Sequence, residues 1–320
     1  MTQTIGIADI SVLMPIKNGR KFLESSLIRI LEMANEAEIL LIDDGSYDGT
    51  FEYCQSFSEE RTNLRVMRNP GNGICDALNF GIAVSTRNWI ARFDVDDEYA
   101  VNRLAEQIKV INTTNASLVF TGYVFFGDGA LPLGSIPGGV LDAPTKLSLI
   151  TGRRTPHPSA VFSKEKCLKA GGYLSQDAPA EDLSLWLRMC SLGEFATTET
   201  DLLNYRLSAS STTLMNREIS INQRKALLLK YPLNNEYFEE VLKNLDSILN
   251  RYSTMQSQPR RVVLLFLDIY KYSRFYGIRI PLSIFLKITG HMINVQNLRE
   301  FLHLLLEARR RNNFRKSIKP

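Results

Sequence analysis

The sequence predicts an α/β protein with a doubly wound sheet, followed by an all-helical region. Three observations predict it. From Ser11 to Phe126, short apolar runs of strand length alternate with segments of helical spacing. That is the pattern of successive β-α units, and it argues a parallel sheet. Beyond about Ser210 the strand signals fade and only helical periodicity continues. Finally, the carboxylate clusters Asp43-Asp44 and Asp94-Val95-Asp96-Asp97 both fall at the ends of predicted strands. Ligands of doubly wound sheets sit beyond the carboxyl ends of the strands, so the placement of the acids and the fold agree.

The elements follow in order. Residues 11–16 form an apolar strand, and 19–35 a helix with Phe22, Ser26, Ile30 and Met33 roughly on one side. Residues 38–42 are a second strand; Gly45-Ser46 turns the chain, and Asp48 or Ser46 caps the next helix. Residues 64–68 give the third strand, 69–73 a loop of Asn, Pro and Gly, and 74–85 a helix. Residues 88–93 are the fourth strand, 101–113 a helix and 117–126 another strand. Gly and Pro make 131–141 a surface loop, and 151–158 is also irregular. Residues 181–192 are helical, with Leu183, Trp186, Leu187 and Cys190 facing inward. Helices are then expected over 219–229, 237–251, 261–276 and 296–311, with 252–259 as a linker.

Composition sets outer bounds. The 320 residues, 44% hydrophobic and 22% charged, suit a globular chain with a sizeable core. A net charge of +4 does not argue for a nucleic-acid partner. The charge is uneven, however: no acid follows Glu307, while Arg309, Arg310, Arg311, Arg315, Lys316 and Lys319 do. Cys54, Cys75, Cys167 and Cys190 are scattered and form no CxxC pair. A zinc knuckle or disulfide framework is therefore not expected, and a reduced, cytoplasmic compartment fits. The first residues lack the basic start and apolar core of a signal peptide. No run reaches the ~20 apolar residues that span a bilayer. Leu298, Phe301, Leu302 and Leu305 share a helix face just before the arginines. That face suits peripheral contact with an anionic membrane, or packing on the rest of the chain.

The acids carry the chemistry. Carboxylates repel one another, and two clusters at strand ends suit a hard divalent cation with its attendant phosphates or ribose. On an extended segment Asp94 and Asp96 point to one face; the alternative is an acid-rich helix start, which suits Asp97-Glu98. Of Asp43 and Asp44, one is expected to read a base or ribose and the other to hold the turn. Glu181-Asp182 opens a helix and is either a proton acceptor for a hydroxyl nucleophile or compensation for the helix dipole. His157 stands between two prolines after Arg153-Arg154. It is structural, a metal ligand or a phosphate contact, and the arginines suit phosphate.

These residues together resemble the family 2 glycosyltransferases, over about residues 11–206. The opening strand through Pro15 and Asn18 looks like the family's nucleotide-binding start. Asp43-Asp44-Gly45-Ser46 with Asp48-Gly49-Thr50 is similar to its second-strand signature, and Asn69, Gly73, Ala77 and Asn79 to the next block. Arg92-Phe93-Asp94-Val95-Asp96-Asp97 looks like the DxD motif. His157-Pro158-Ser159 and Gly171-Gly172-Tyr173 resemble later blocks, Glu181-Asp182 the ED motif, and Tyr205-Arg206 the end of the catalytic domain. Blocks in this order are far more specific than any one of them.

The resemblance implies a GT-A fold, a Rossmann-like doubly wound mixed sheet, over residues 1–212, with a helical extension over 213–320. It implies a nucleotide-sugar donor, commonly a UDP-sugar, a Mn²⁺ or Mg²⁺ ion, and transfer with inversion to a glycan hydroxyl. Asp182 becomes the general base. Donor binding falls to Pro15, Asn18, Asp43, Asp44, Asn79, Arg92, Asp94 and Asp96, with Asp96 as the metal ligand. Glu181, His157 and Arg154 face the acceptor or a phosphate. Similar bacterial enzymes build O-antigen or capsule units on polyprenyl-diphosphate carriers at the inner face of the plasma membrane. Lys17 departs from the pattern, because an aromatic is usual there; a lysine suits a phosphate instead. The rival readings are a nucleotidyltransferase, which would leave Glu181-Asp182 without a use, and a non-catalytic membrane-associated scaffold on the same fold.

Overall fold

The computed structural model describes residues 4–59, 61–127, 132–139, 142–152, 154–207, 217–253 and 258–278. Strands β1 (Ile10–Ile16), β2 (Glu38–Asp43), β3 (Leu64–Arg68) and β4 (Trp89–Arg92) run parallel in the order β3-β2-β1-β4. Their connections are the helices α1 (Arg20–Met33), α2 (Thr50–Ser58) and α3 (Ile74–Val84). Every residue of β1 and β2 is buried, which is why they read as continuous apolar runs rather than alternating ones.

Beyond β4 the sheet is mixed, so the parallel expectation holds only for its first half. β8 (Val161–Ser163) joins β4 antiparallel and leads to β6 (Leu118–Phe126), β9 (Phe195–Arg206) and β5 (Glu98–Tyr99). β9 is parallel to β6 along most of its length. It carries no strand signature because Thr, Glu and Asp interrupt its apolar positions. The stretch expected as a surface loop over 131–141 contains a further strand, β7 (Pro132–Ile136), antiparallel to the end of β6. Its glycines serve close backbone approach: a Cβ on Gly138 would lie 2.1 Å from the Thr198 carbonyl oxygen.

Each face of the sheet carries its own core. On one face α1 and α4 (Arg103–Thr114) bury Leu23, Leu27, Ile30, Leu104 and Ile111. Leu23 and Leu27, rather than half-buried Phe22, define the inner side of α1. On the other face α3 and α7 (Glu181–Met189) bury Leu78, Leu183 and Trp186, and the later helices join the same core. These are α8 (Arg217–Lys230), α9 (Asn235–Lys243), α10 (Leu245–Ser253) and α11 (Gln258–Tyr276), after the short α5 (Asp142–Leu147) and α6 (Lys164–Lys169). The single helix expected over 237–251 is two, broken at Asn244.

A buried ion pair fastens this helical region. Arg154 donates to Asp268 of α11 at 2.8 Å, with side-chain exposures of 0% and 1%. Thr151 donates to the other Asp268 oxygen at 2.7 Å. Among the described residues no helix is long and apolar enough to cross a membrane. The helix expected over 296–311 and the basic tail lie outside the described residues, as does Arg153.

Candidate active site

A cavity of about 600 Å³ opens beyond the carboxyl ends of β1, β2 and β4. Its lining includes Pro15, Lys17 and Asp44 from the ends of β1 and β2, Asp94, Asp96 and Asp97 from the turn after β4, and His157, Glu181 and Asp182 from later in the chain. Asp96 and Asp182, 86 positions apart in sequence, thus share one cavity.

The two aspartates that end β2 divide their work. Asp43 is buried and turns inward, accepting from the Ser46 amide at 3.3 Å and from Arg68 at 3.3 Å. Asp44 lines the cavity. It accepts from the Gly73 amide at 2.8 Å and from Asn69 at 2.7 Å, and it pairs with Lys17 at 3.3 Å. Its carboxylate therefore also organises the loop before α3. Asn18 has a left-handed backbone (φ 52°) and ties this rim to the neighbouring loop. Its amide donates to Ser46 Oγ at 2.8 Å, and its side-chain oxygen accepts from Tyr47 at 3.0 Å. Asp48 accepts from the Thr50 amide at 3.1 Å, so it serves the start of α2, with Gly49 as the N-cap.

The acidic cluster lies in a turn, not on the extended segment inferred from its spacing. The turn still presents Asp94 and Asp96 to the cavity. Nor is Asp97-Glu98 a helix start: Glu98 opens β5, and α4 begins at Arg103. Buried Arg92 pairs with Asp94 at 2.6 Å. Burial, then the charge of Asp94, pushes the Asp96 carboxyl up to about 6. Asp97 is driven well above the carboxylate range by burial, Asp94 and Asp96. One of its oxygens accepts from the Arg206 amide at 2.7 Å; the other is buried without a hydrogen-bond partner. The turn thus holds more negative charge than its surroundings neutralise.

A divalent cation would relieve that imbalance. Among the described residues no group of three or more His, Cys, Asp or Glu is placed to enclose an ion. Mg²⁺ and similar ions need fewer protein ligands, since one or two carboxylates suffice when substrate phosphates complete the shell. Asp96, with Asp94 beside it, fits that requirement.

On the opposite rim, Glu181 and Asp182 open α7. Asp182 Oδ1 accepts from the Leu183 amide at 2.7 Å. A helix N-terminus lowers carboxyl pKa values, yet both groups are raised. Glu181 is pushed up to about 7 by burial and by Asp182; Asp182 is raised by burial against the opposing charges of Arg224 and Arg92. Dipole compensation is therefore not the dominant influence on this pair. His157 Nε2 shares a hydrogen bond with the Tyr173 hydroxyl at 2.8 Å. Burial and the charge of Arg92 hold its pKa well below the usual value, so the imidazole is neutral at physiological pH.

Several expected residues lie elsewhere. Arg154 is no acceptor or phosphate contact here: its side chain is fully buried against Asp268, away from the cavity lining. The Asn79 amide is occupied by the Tyr173 backbone, donating at 2.8 Å and accepting at 2.9 Å. It reaches the site only through Tyr173 and His157. Asn18 and Asp43 shape the rim without lining the cavity. Conversely, the sequence reading missed Arg224, Tyr123 and Phe125, which line the cavity, and used Arg206 only to mark an end. Arg206 Nε donates to the Asp96 carbonyl at 2.8 Å, and its guanidinium lies 4.4 Å from the Phe126 ring centroid. A cavity-lining arginine on an amphipathic helix has no local signature.

Comparison with known proteins fits this geometry. Residues 11–139 match the family model described as glycosyl transferase family 2. An uncharacterized glycosyltransferase of Haemophilus influenzae is 27% identical over 234 residues, 70% of this chain and 85% of that protein. The glycosyltransferase GlyG of Streptococcus pneumoniae is 32% identical over 116 residues, 36% of this chain and 38% of that one. The putative teichuronic acid biosynthesis glycosyltransferase TuaG of Bacillus subtilis is 26% identical over 127 residues, 39% of this chain and 50% of its own. The match thus spans half or less of the last two proteins.

Two solved structures share the fold. S. aureus TarS 1-349 in complex with UDP-GlcNAc has a TM-score of 0.58 at 14% identity, over 91% of this chain and 89% of that one. The mannosyltransferase PcManGT of Pyrobaculum calidifontis, in complex with GDP-Man and Mn²⁺, has a TM-score of 0.56 at 15% identity, over 94% and 85%. At these identities the likeness concerns architecture, which is the GT-A fold.

Proposed function

We propose that this chain is a family 2 glycosyltransferase, as the match of residues 11–139 to that family model supports, and that it moves a sugar from a UDP-sugar to a glycan hydroxyl with inversion at the anomeric carbon. The observation that carries the reading is the shared cavity: Asp44, Asp94 and Asp96 line it together with Glu181 and Asp182, which come from a distant part of the chain. Inversion requires the acceptor oxygen to approach the anomeric carbon in line with the departing diphosphate. A site that performs it needs a donor side and a base side facing one another, supplied by separate parts of the chain.

On the donor side, Asp44 and the β1 end at Pro15 receive the nucleoside, and Asp94 and Asp96 the ribose and diphosphate. Lys17 and Arg206 bring positive charge to the same rim. A Mn²⁺ or Mg²⁺ ion held by Asp96 would supply further positive charge to the departing diphosphate. On the base side, Asp182 takes the acceptor proton as the new O–C bond forms and the bond from the anomeric carbon to the diphosphate oxygen breaks. Neutral His157 and Glu181 position the acceptor.

The UDP-GlcNAc bound to TarS supports a uridine donor; the GDP-Man bound to PcManGT makes a guanosine donor the alternative to test. The teichuronic acid assignment of TuaG supports surface polysaccharide synthesis. The acceptor is then a glycan on a polyprenyl-diphosphate carrier, met at the cytoplasmic face of the membrane. A thermal-shift panel of UDP-, GDP- and dTDP-sugars with and without Mn²⁺ tests the donor side. One nucleotide is expected to raise the midpoint in a metal-dependent way. No shift with any of them removes the reading.

A further inference from the structure

We propose that Arg224 is a positioning residue for the reaction, holding the Asp182 carboxylate ionised and turned to the cavity; this rests on the reading of Asp182 as the base. The geometry has three parts. Helix α8 packs against α7, and Arg224 and Asp182 line the same cavity. The guanidinium is anchored there, because Nη2 donates to the Leu149 carbonyl at 3.1 Å. The chain also leaves room for it: Gly152 has φ +64°, and a Cβ at that position would lie 2.6 Å from Nη2.

The electrostatics agree with the placement. Burial weakens the basicity of Arg224, and the Asp182 charge offsets that loss. Burial raises Asp182, and Arg224 is the foremost charge opposing the rise. The other groups facing Asp182 are Arg92 from β4, which also favours the anion, Glu181 on its own helix, and the Tyr173 hydroxyl. Arg224 thus gives the helical region a part in the reaction, beside its part in the core.

The test is the thermal midpoint from pH 5 to pH 8 for the wild type, R224M, D182N and the double variant. Without Arg224 the folded-state pKa of Asp182 rises further above its unfolded value. The added penalty is absent while Asp182 is protonated and complete once pH exceeds the folded pKa. The gap between wild type and R224M should therefore widen with pH, by about 2 °C for a shift near one unit. In the D182N background the gap should not change with pH. A gap that is constant in the wild-type background marks Arg224 as mere packing, and equal widening in both backgrounds gives it another partner; either result overturns the proposal. Should R224M not fold, R224Q is read in the same way. Full transferase activity in D182N would instead remove the general-base reading, whatever the melting curves give.

Discussion

The two rims of the cavity are built differently. The donor rim comes from the ends of consecutive parallel strands, with Pro15, Asp44, Asp94 and Asp96 each closing or following β1, β2 or β4. Local periodicity places such residues, because every β-α unit returns the chain to the same edge. The acceptor rim has no such regularity. Thr155 comes from a loop, His157 from the start of a one-turn 3-10 helix (His157–Ser159), Asp182 from the start of α7, and Arg224 from a helix beyond the sheet. The donor rim is therefore tied to the sheet, while the acceptor rim depends on how distant segments pack.

The comparison can be broken most sharply at Asp182. D182N should lower transfer about 10²–10⁴-fold and leave UDP binding nearly unchanged, as read by initial rates beside calorimetric titration. Lost nucleotide binding would mean that the rims are not separable. Next in size is the tie between the helical region and the acceptor rim. D268N leaves Arg154 buried beside a neutral amide and should cost about 3–5 kcal/mol of stability in urea unfolding. Asp268 lies outside the cavity lining, so the folded fraction should still bind UDP.

On the donor rim, D96A should weaken UDP binding in Mn²⁺ by about tenfold or more, about 1.4 kcal/mol, and leave metal-free binding as it was. An unchanged metal titration would remove Asp96 as a ligand. The pH dependence separates the rims again. Burial raises Asp182 and Glu181, the latter to about 7. A base must be ionised, so the rate should fall as pH drops through these raised values rather than through the ordinary aspartate range near ~3.9. E181Q removes a like charge and should move the acid limb to lower pH; an unmoved limb would uncouple the pair. The smallest effect is expected at Lys17, which is half exposed in its pair with Asp44. K17A should change stability by no more than about 1 kcal/mol, and any larger consequence should appear in UDP affinity.

Much of the fold was legible. β3 was expected with its observed bounds, and the other parallel strands to within a residue or two. Each is an apolar run between turn residues, and burial on both faces makes that run continuous. β7 and β9 were not foreseen. The glycines and proline around β7 read as a surface loop, whereas the fold uses that composition for close backbone contact. β9 is held by its pairing with β6 rather than by its own periodicity. Asp44, Asp94, Asp96, Glu181 and Asp182 were singled out because acids at element ends are unusual, and all five line the cavity. Arg154 was misassigned because its partner, Asp268, lies 114 positions away.

The sequence by itself determined the parallel half of the sheet and the acids at its edge. Strand periodicity is local, and these acids directly follow the strands that it marks. The tertiary structure alone decided which of Asp43 and Asp44 lines the cavity and that Asp182 shares it with Asp96. It also decided that an arginine from α8, Arg224, lines the same cavity as Asp182. Those relations join residues far apart in the chain, and burial, which appears only once they have packed, sets the charge each one carries.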